Sequence, residues 1–407
     1  MINKLYETDS YKKIIDTVVT GCESKADGIY VTLAETIFFP EEGGQYADTG
    51  MLCYLDKEVQ VLDGIIHGNS TCNGEKNAVG EIEISYKVSE EIPVGTMVTC
   101  RLDWANRYDR MQNHSGEHVL TGVIHNKYGY DNVGFHLSDD DIVTVDFDGI
   151  LSYEQAIEME ALANKIIYDN LPIQDSYPTK EELESIDYRS KIKIDGQVRL
   201  ITVGSKDDIV DVCACCAPHV AYTGEIGIIK VISVINWKGG VRLGILCGRR
   251  ALEYINHEHE VITGIAKSLS TNIDEIGKAV DSYRNEVFLL KGKLAKVMEQ
   301  QALAKVSEAV SSISKCVFLD SDFPTDSMKN IYNALIEQSG GFCGVFCGDD
   351  INGYRYNAGS SEKDSRELAA LLREKLGAKG GGSAQMIQGK ISETRDVIEK
   401  FFNTVNQ

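Results

Sequence analysis

The chain has 407 residues, 43% of them hydrophobic and 25% charged, with a formal net charge of −21. That balance suits a globular protein of two or three domains and excludes a disordered one. It also excludes a protein that coats nucleic acid by bulk electrostatics, so any RNA contact must come from local basic patches or backbone donors.

No apolar run is long enough to span a bilayer, and Met1 to Lys13 is polar, without the apolar core of a secretion signal. A cytoplasmic protein with no membrane partner is expected. In that reducing compartment the eleven cysteines read as core thiols or metal ligands rather than a disulfide framework.

Residues 1–95 read as short strands broken by turns. Gly28-Ile-Tyr-Val-Thr-Leu33, Val59-Gln-Val-Leu62 and Gly80-Glu-Ile-Glu-Ile-Ser85 alternate or favour β-branched residues. Glycines at Glu42-Gly43-Gly44 and Asn73-Gly74 mark loops between them. A β-barrel-like module is expected. Over residues 96–250 the pattern becomes mixed α/β. A helix from about Trp104 to Tyr128 carries Met111, Val119, Leu120 and Ile124 at helical spacing. A second helix covers residues 153–170, with strands at 142–147, 198–203 and 227–233.

Residues 251–312 form a helical linker. Ile273, Ile276, Val280, Tyr283, Val287, Leu290, Leu294 and Val297 follow at alternating spacings of three and four, a heptad seam that predicts a coiled coil or a helical arm. Asn272 with Glu275 supplies an N-cap, while Gly277 and Gly292 weaken the helix locally. The seam either packs within the chain or joins two copies as a homodimer. Residues 313–407 alternate strand 317–319, helix 326–338, strand 342–346, helix 363–376, the run Lys379-Gly-Gly-Gly-Ser383 and helix 391–402, a small α/β domain. The fold class is α+β in four parts.

Two histidines one helical turn apart, in His114-Ser-Gly-Glu-His118, share one face and can reach a single ion. Cys215-Cys-Ala-Pro-His219 offers a thiolate and a third imidazole. Such a set favours one zinc ion over magnesium or calcium, which prefer oxygen. Cys213 and Cys216 are competing thiols that spacing alone does not exclude, and four protein ligands also suit a purely structural zinc. The same helix reads as HxxEH through Glu117, a pattern of zinc peptidases, which is the alternative activity. The loop Phe38-Phe-Pro-Glu-Glu-Gly-Gly-Gln45, followed by Asp48-Thr-Gly50, exposes backbone amides, with Thr36 and Gln45 offering side-chain hydrogen bonds nearby.

Taken together, Thr36 to Gly50, His114 to His118 and Cys215 to His219 resemble the editing domain of alanyl-tRNA synthetase and its free-standing relatives, the AlaX trans-editing proteins. Arg110-Met-Gln-Asn-His114 and Gly134-Phe-His136 are similar as well. The chain departs from the family at Cys-Ala-Pro ahead of His219, where Gly-Gly-Thr is commoner. That change keeps the ligands but removes a Thr hydroxyl and two glycines. The final module resembles the DHH-associated domain of the long AlaX form, and no region resembles the aminoacylation domain.

The resemblance implies ATP-independent hydrolysis of tRNA(Ala) mischarged with serine, or also glycine, at its acceptor end. Zinc would be held by His114, His118, Cys215 and His219, Thr36 would read the serine hydroxyl and Gln45 would orient the substrate. A non-catalytic tRNA-binding protein with structural zinc is the third reading. Apart from the resemblance, basic residues available to phosphates are Arg101, Arg107 and Arg110 near the central helix and Arg366, Arg373, Lys375, Lys379 and Lys390 in the final module; for any single one of them a solvated face is the better bet.

Overall fold

The computed structural model describes residues 3–67, 83–137, 142–190 and 198–407. The chain divides into two compact units, Met1–Val261 and Ile262–Gln407. It is a mixed α/β protein containing a closed barrel.

In the first unit six strands close on one another. They are Ile14–Lys25, Gly28–Leu33, Gly50–Tyr54, Lys57–His67, Glu83–Val88 and Met97–Leu102. Pairing runs first, second, fifth, fourth, third, sixth, with the sixth returning to the first. Alternate residues point inward, so Val19, Val31, Leu33, Leu52, Val59, Val61, Ile84, Tyr86, Val98 and Cys100 form one core. The expected strand at Gly80–Ser85 begins outside the described residues, and its described part belongs to Glu83–Val88. The Asn73-Gly74 turn also lies outside them.

A 25-residue helix, Trp104–Tyr128, follows directly. Asp103 caps its start by accepting from Asn106 N, and Gly129 ends it in the left-handed region at φ 71°. A four-stranded antiparallel sheet packs with it, in the order Ile229–Trp237, Gly240–Cys247, Val143–Phe147, Asn132–His136. A three-stranded sheet contributes Ile173–Ser176, Leu200–Ser205 and Asp208–Ala214. The helix Tyr153–Asp169, closed by a Ser152/Gln155 capping box, completes this core.

In the second unit the seam lies on one helix, Ile276–Ser311. Asn272 precedes a short 3-10 turn, Ile273–Glu275, and makes no side-chain cap hydrogen bond. Val287, Leu290, Leu294 and Val297 are all exposed. A five-stranded sheet follows in the order Cys316–Leu319, Cys343–Asp349, Gly353–Gly359, Ile387–Ile391, Lys379–Gly382. Its first pair is parallel and the rest antiparallel. Val317 and Val345 join one apolar cluster, Phe318 and Phe346 the other, as strand alternation requires. The expected helix at 391–402 starts instead at Arg395, because Ile387–Ile391 is held in the sheet.

Candidate metal centre

The Trp104–Tyr128 helix is buried along most of its length, including Arg107, Asp109, Arg110, Asn113, His114, Ser115, Glu117 and His118. A polar helix buried on every face must find partners for its side chains, and this one does. Arg107 Nε lies 2.9 Å from Asp48 Oδ2, which also accepts from Phe39 N at 2.7 Å. Asp109 pairs with Arg249 and Arg250. Glu117 Oε1 accepts from Thr121 Oγ1 at 2.8 Å and from Asn132 Nδ2. Two helix positions have no room for a side chain: a Cβ on Gly116 would fall 2.3 Å from Cys247 Sγ, and one on Gly122 2.5 Å from Val210 O. The neighbouring strands therefore approach the helix backbone closely, and the one beyond Gly122 carries Asp211 and Cys213.

One nitrogen or sulfur each from His114, His118, Cys215 and His219 come together with all four atoms within 4.8 Å of one another. Cys215 Sγ is 3.5 Å from His114 Nε2 and 3.3 Å from His219 Nε2. Sulfur and nitrogen ligands of a tetrahedral zinc lie about 3.6 Å apart, given bonds of roughly 2.3 and 2.0–2.1 Å.

The far nitrogen of each ring is braced. His114 Nδ1 is 2.8 Å from Gln45 Oε1, His118 Nδ1 2.9 Å from Asp211 Oδ2 and His219 Nδ1 3.0 Å from Ser115 Oγ. The Gln45 amide oxygen only accepts, so Nδ1 of His114 carries the proton and Nε2 keeps its lone pair. Arg189 in turn clamps Asp211 through two bonds of 2.7 and 2.8 Å. Such outer partners are characteristic of metal-ligating histidines.

The electrostatics agree. Burial raises the Cys215 thiol, but His114 and His219 and the hydrogen bonds from His114 and His118 outweigh it and hold the group well below its ordinary value. Burial opposes charge on His118, yet Asp211 and Cys215 keep its imidazolium well above the usual range. His219 is pushed down to about 3, chiefly by burial, and stays neutral. A buried thiolate needs a cation beside it; in the chain alone His118 supplies one, and a bound metal ion fits the same need.

Cys213 is pushed up to about 11 by burial, so it remains a thiol. It groups with His118 and Asp211 rather than with the four, and Cys216 is in neither group among the described residues. Gln45 is buried beside His114, and its Nε2 has no hydrogen-bond partner among the described residues. Thr36 is fully buried, with Oγ1 accepting from Phe38 N at 3.1 Å and lying 2.8 Å from Tyr86 Oη.

Sequence reasoning missed Asp211, Ser115 and Arg189. Asp211 interrupts an apolar strand, which is also why Asp208–Ala214 was not foreseen. Arg107 and Arg110 do not face phosphates as expected. They are 0% and 1% exposed, drawn inward by Asp48 and the Ala47 carbonyl.

The class this defines is a barrel protein with a three-histidine, one-cysteine cluster built from two histidines of an adjoining helix and the loop after the strand Asp208–Ala214. Residues 198–243 match the family described as the threonyl and alanyl tRNA synthetase second additional domain. The chain is 28% identical to the alanyl-tRNA editing protein AlaX-L of Pyrococcus horikoshii over 98% of its own length and 96% of that protein's. It is 27% identical to the alanine–tRNA ligase of Caldivirga maquilingensis over 89% of its length, and 27% identical to that of Ignicoccus hospitalis over 97%. It spans only 40% and 42% of those two ligases. Over nearly its whole length the chain is thus similar to an AlaX-type alanyl-tRNA editing protein.

Proposed function

We propose that the protein is an aminoacyl-tRNA deacylase that hydrolyses the ester between a wrong amino acid, chiefly serine and secondarily glycine, and the acceptor end of tRNA(Ala). The observation that carries this reading is the convergence of His114, His118, Cys215 and His219 beside Gln45, in a chain similar over 98% of its length to an alanyl-tRNA editing protein. These four residues would hold one zinc ion, which would supply Lewis-acidic charge for ester hydrolysis.

Gln45 orients His114 through its oxygen and offers its free Nε2–H to the substrate. Thr36 reads the serine hydroxyl, with Tyr86 and the Phe38 amide fixing the direction of its own. An alanyl ester leaves that hydrogen bond unmade, and a second hydrolytic site of this kind removes errors that a small synthetase pocket rejects poorly. Residues 96–250 act as the editing domain, and 313–407 as a DHH-associated domain that assists RNA binding. Residues 251–312 link them and pair two copies as a homodimer in the cytoplasm. The peptidase alternative has less support, because Glu117, its general base, is held by Thr121 and Asn132.

The test is deacylation by purified protein of tRNA(Ala) charged with serine or alanine, before and after chelation and after zinc is restored. Preferential, zinc-dependent release of serine is expected. Equal activity in the chelated sample removes the metal from the reading, and no release of serine removes the deacylase.

A further inference from the structure

We infer that Arg199 is a positioning residue for the metal centre, its guanidinium fixing the path of the loop that carries Cys215 and His219. The inference rests on the zinc reading of that site.

The strand Asp208–Ala214 ends just before Cys215, and from there to Val220 the chain lies in no helix or strand. The loop is nonetheless packed inside the unit. Ala217 is buried in the apolar cluster of the barrel and Val220 in the cluster of the adjoining helix and sheets. Buried backbone outside a ladder must find its hydrogen bonds elsewhere, and Pro218 has no N–H to donate.

Arg199 supplies the partners. Its Nη1 donates to Cys215 O at 3.2 Å and to Ala217 O at 2.9 Å. Its own backbone oxygen accepts from Cys215 N at 3.2 Å. One residue thus holds both backbone groups of the cysteine ligand and the carbonyl two positions before the histidine ligand. Arg199 is itself anchored, because the next residue, Leu200, pairs with Ala214 in the sheet.

The other inward arginines of this unit grip carboxylates closely: Arg189 lies 2.7 Å from Asp211, and Arg250 2.6 Å from Asp109. Arg199 is equally buried, yet its nearest carboxylate, Asp175, stands 3.7 Å away. Its donors are directed at carbonyls instead, and a planar fork serves several of them as a lysine ammonium does not. Nη2 also donates to Glu7 O at 3.4 Å. Glu7 lies in the turn Leu5–Thr8, and Lys4, just before that turn, pairs with Thr36. The same guanidinium therefore ties the metal loop to the segment beside Thr36.

The experiment measures cobalt(II) and zinc binding to the full chain after chelation. The wild type should take up about one ion per chain, and cobalt should show thiolate charge transfer with the strong visible bands of a tetrahedral site. In Arg199→Gln, zinc affinity against a chromogenic chelator should fall about 10–100-fold, with the visible bands weakened or displaced. Arg199→Lys keeps the charge without the fork and should recover only part of that loss. Arg242→Gln breaks an arginine–carboxylate pair with Asp146 in the same unit. It controls for lost stability and should bind metal as the wild type does.

The inference is overturned if Arg199→Gln matches the wild type in affinity and spectrum, or if Arg242→Gln loses as much. Should the glutamine variant not fold, wild-type affinity and spectrum in Arg199→Lys overturn it. A wild type that takes up neither ion overturns the zinc reading itself, and this inference with it.

Discussion

The Gln45 side-chain oxygen lies 2.8 Å from His114 Nδ1, joining positions 69 apart in the chain. That one hydrogen bond ties the glycine-rich loop to the helix bearing the metal-type cluster and sets the tautomer of its first imidazole. Gln45→Leu should therefore weaken zinc binding by about 10–100-fold, the usual cost of losing an outer partner. Gln45→Glu keeps an acceptor and should hold the metal. Competition with a chromogenic chelator reads both, and unchanged affinity in the leucine variant would mean that His114 needs no brace.

The two neighbouring thiols should separate cleanly. Cys215→Ala deletes the thiolate shared by His114 and His219, and zinc should fall from about one per chain to nearly none. Cys213→Ala touches only a neutral buried thiol and should leave the metal in place. Elemental analysis of the purified variants decides, and the reverse pattern would exchange the two roles.

Thr36→Val keeps shape while deleting the hydroxyl that Phe38 N and Tyr86 engage. The ratio of deacylation rates for seryl- over alanyl-tRNA(Ala) should shrink by about one hydrogen bond, 0.5–1.5 kcal/mol. Stability should also fall by about 1–3 kcal/mol, because the Phe38 amide is left unpaired. Tyr86→Phe retains the Thr36 hydroxyl and should shift the ratio less. A ratio untouched by Thr36→Val would assign the reading of serine to another residue.

Asp48 and Arg107 form an ion pair that is 1% and 0% exposed. Asp48→Asn leaves the guanidinium buried without its countercharge, which should cost about 3–5 kcal/mol. Both tryptophans, Trp104 and Trp237, lie in the first unit, so their fluorescence in a urea titration reports the change there. A loss below 1 kcal/mol would mean that the Ser10 and Ile37 carbonyls already satisfy the guanidinium.

On the long helix, Val287, Leu290, Leu294 and Val297 are 48%, 53%, 59% and 49% exposed. If two copies pair through this seam, burying each side chain is worth about 1.5–3 kcal/mol at most. Light scattering should give twice the chain mass for the intact protein and one chain mass for Leu290→Glu/Leu294→Glu. An intact protein that is monomeric at micromolar concentration would end the homodimer proposal.

The sequence by itself determined the local geometry. Periodicity placed the helix at 104–128, observed as Trp104–Tyr128, and the spacing of four put His114 and His118 on one face. The heptad spacing likewise foretold the helix now seen as Ile276–Ser311. These follow from the 3.6-residue repeat, which depends on no distant contact.

Only the tertiary structure decided which thiol joins the histidines. It also turned Arg107 and Arg110 inward to Asp48, and set Asp211, Ser115 and Gln45 behind the three imidazoles. Those relationships cross 59 to 104 positions of chain. They exist because barrel closure and two sheets bring separate segments against one buried helix, whose polar side chains must then be satisfied by whatever neighbours the packing supplies.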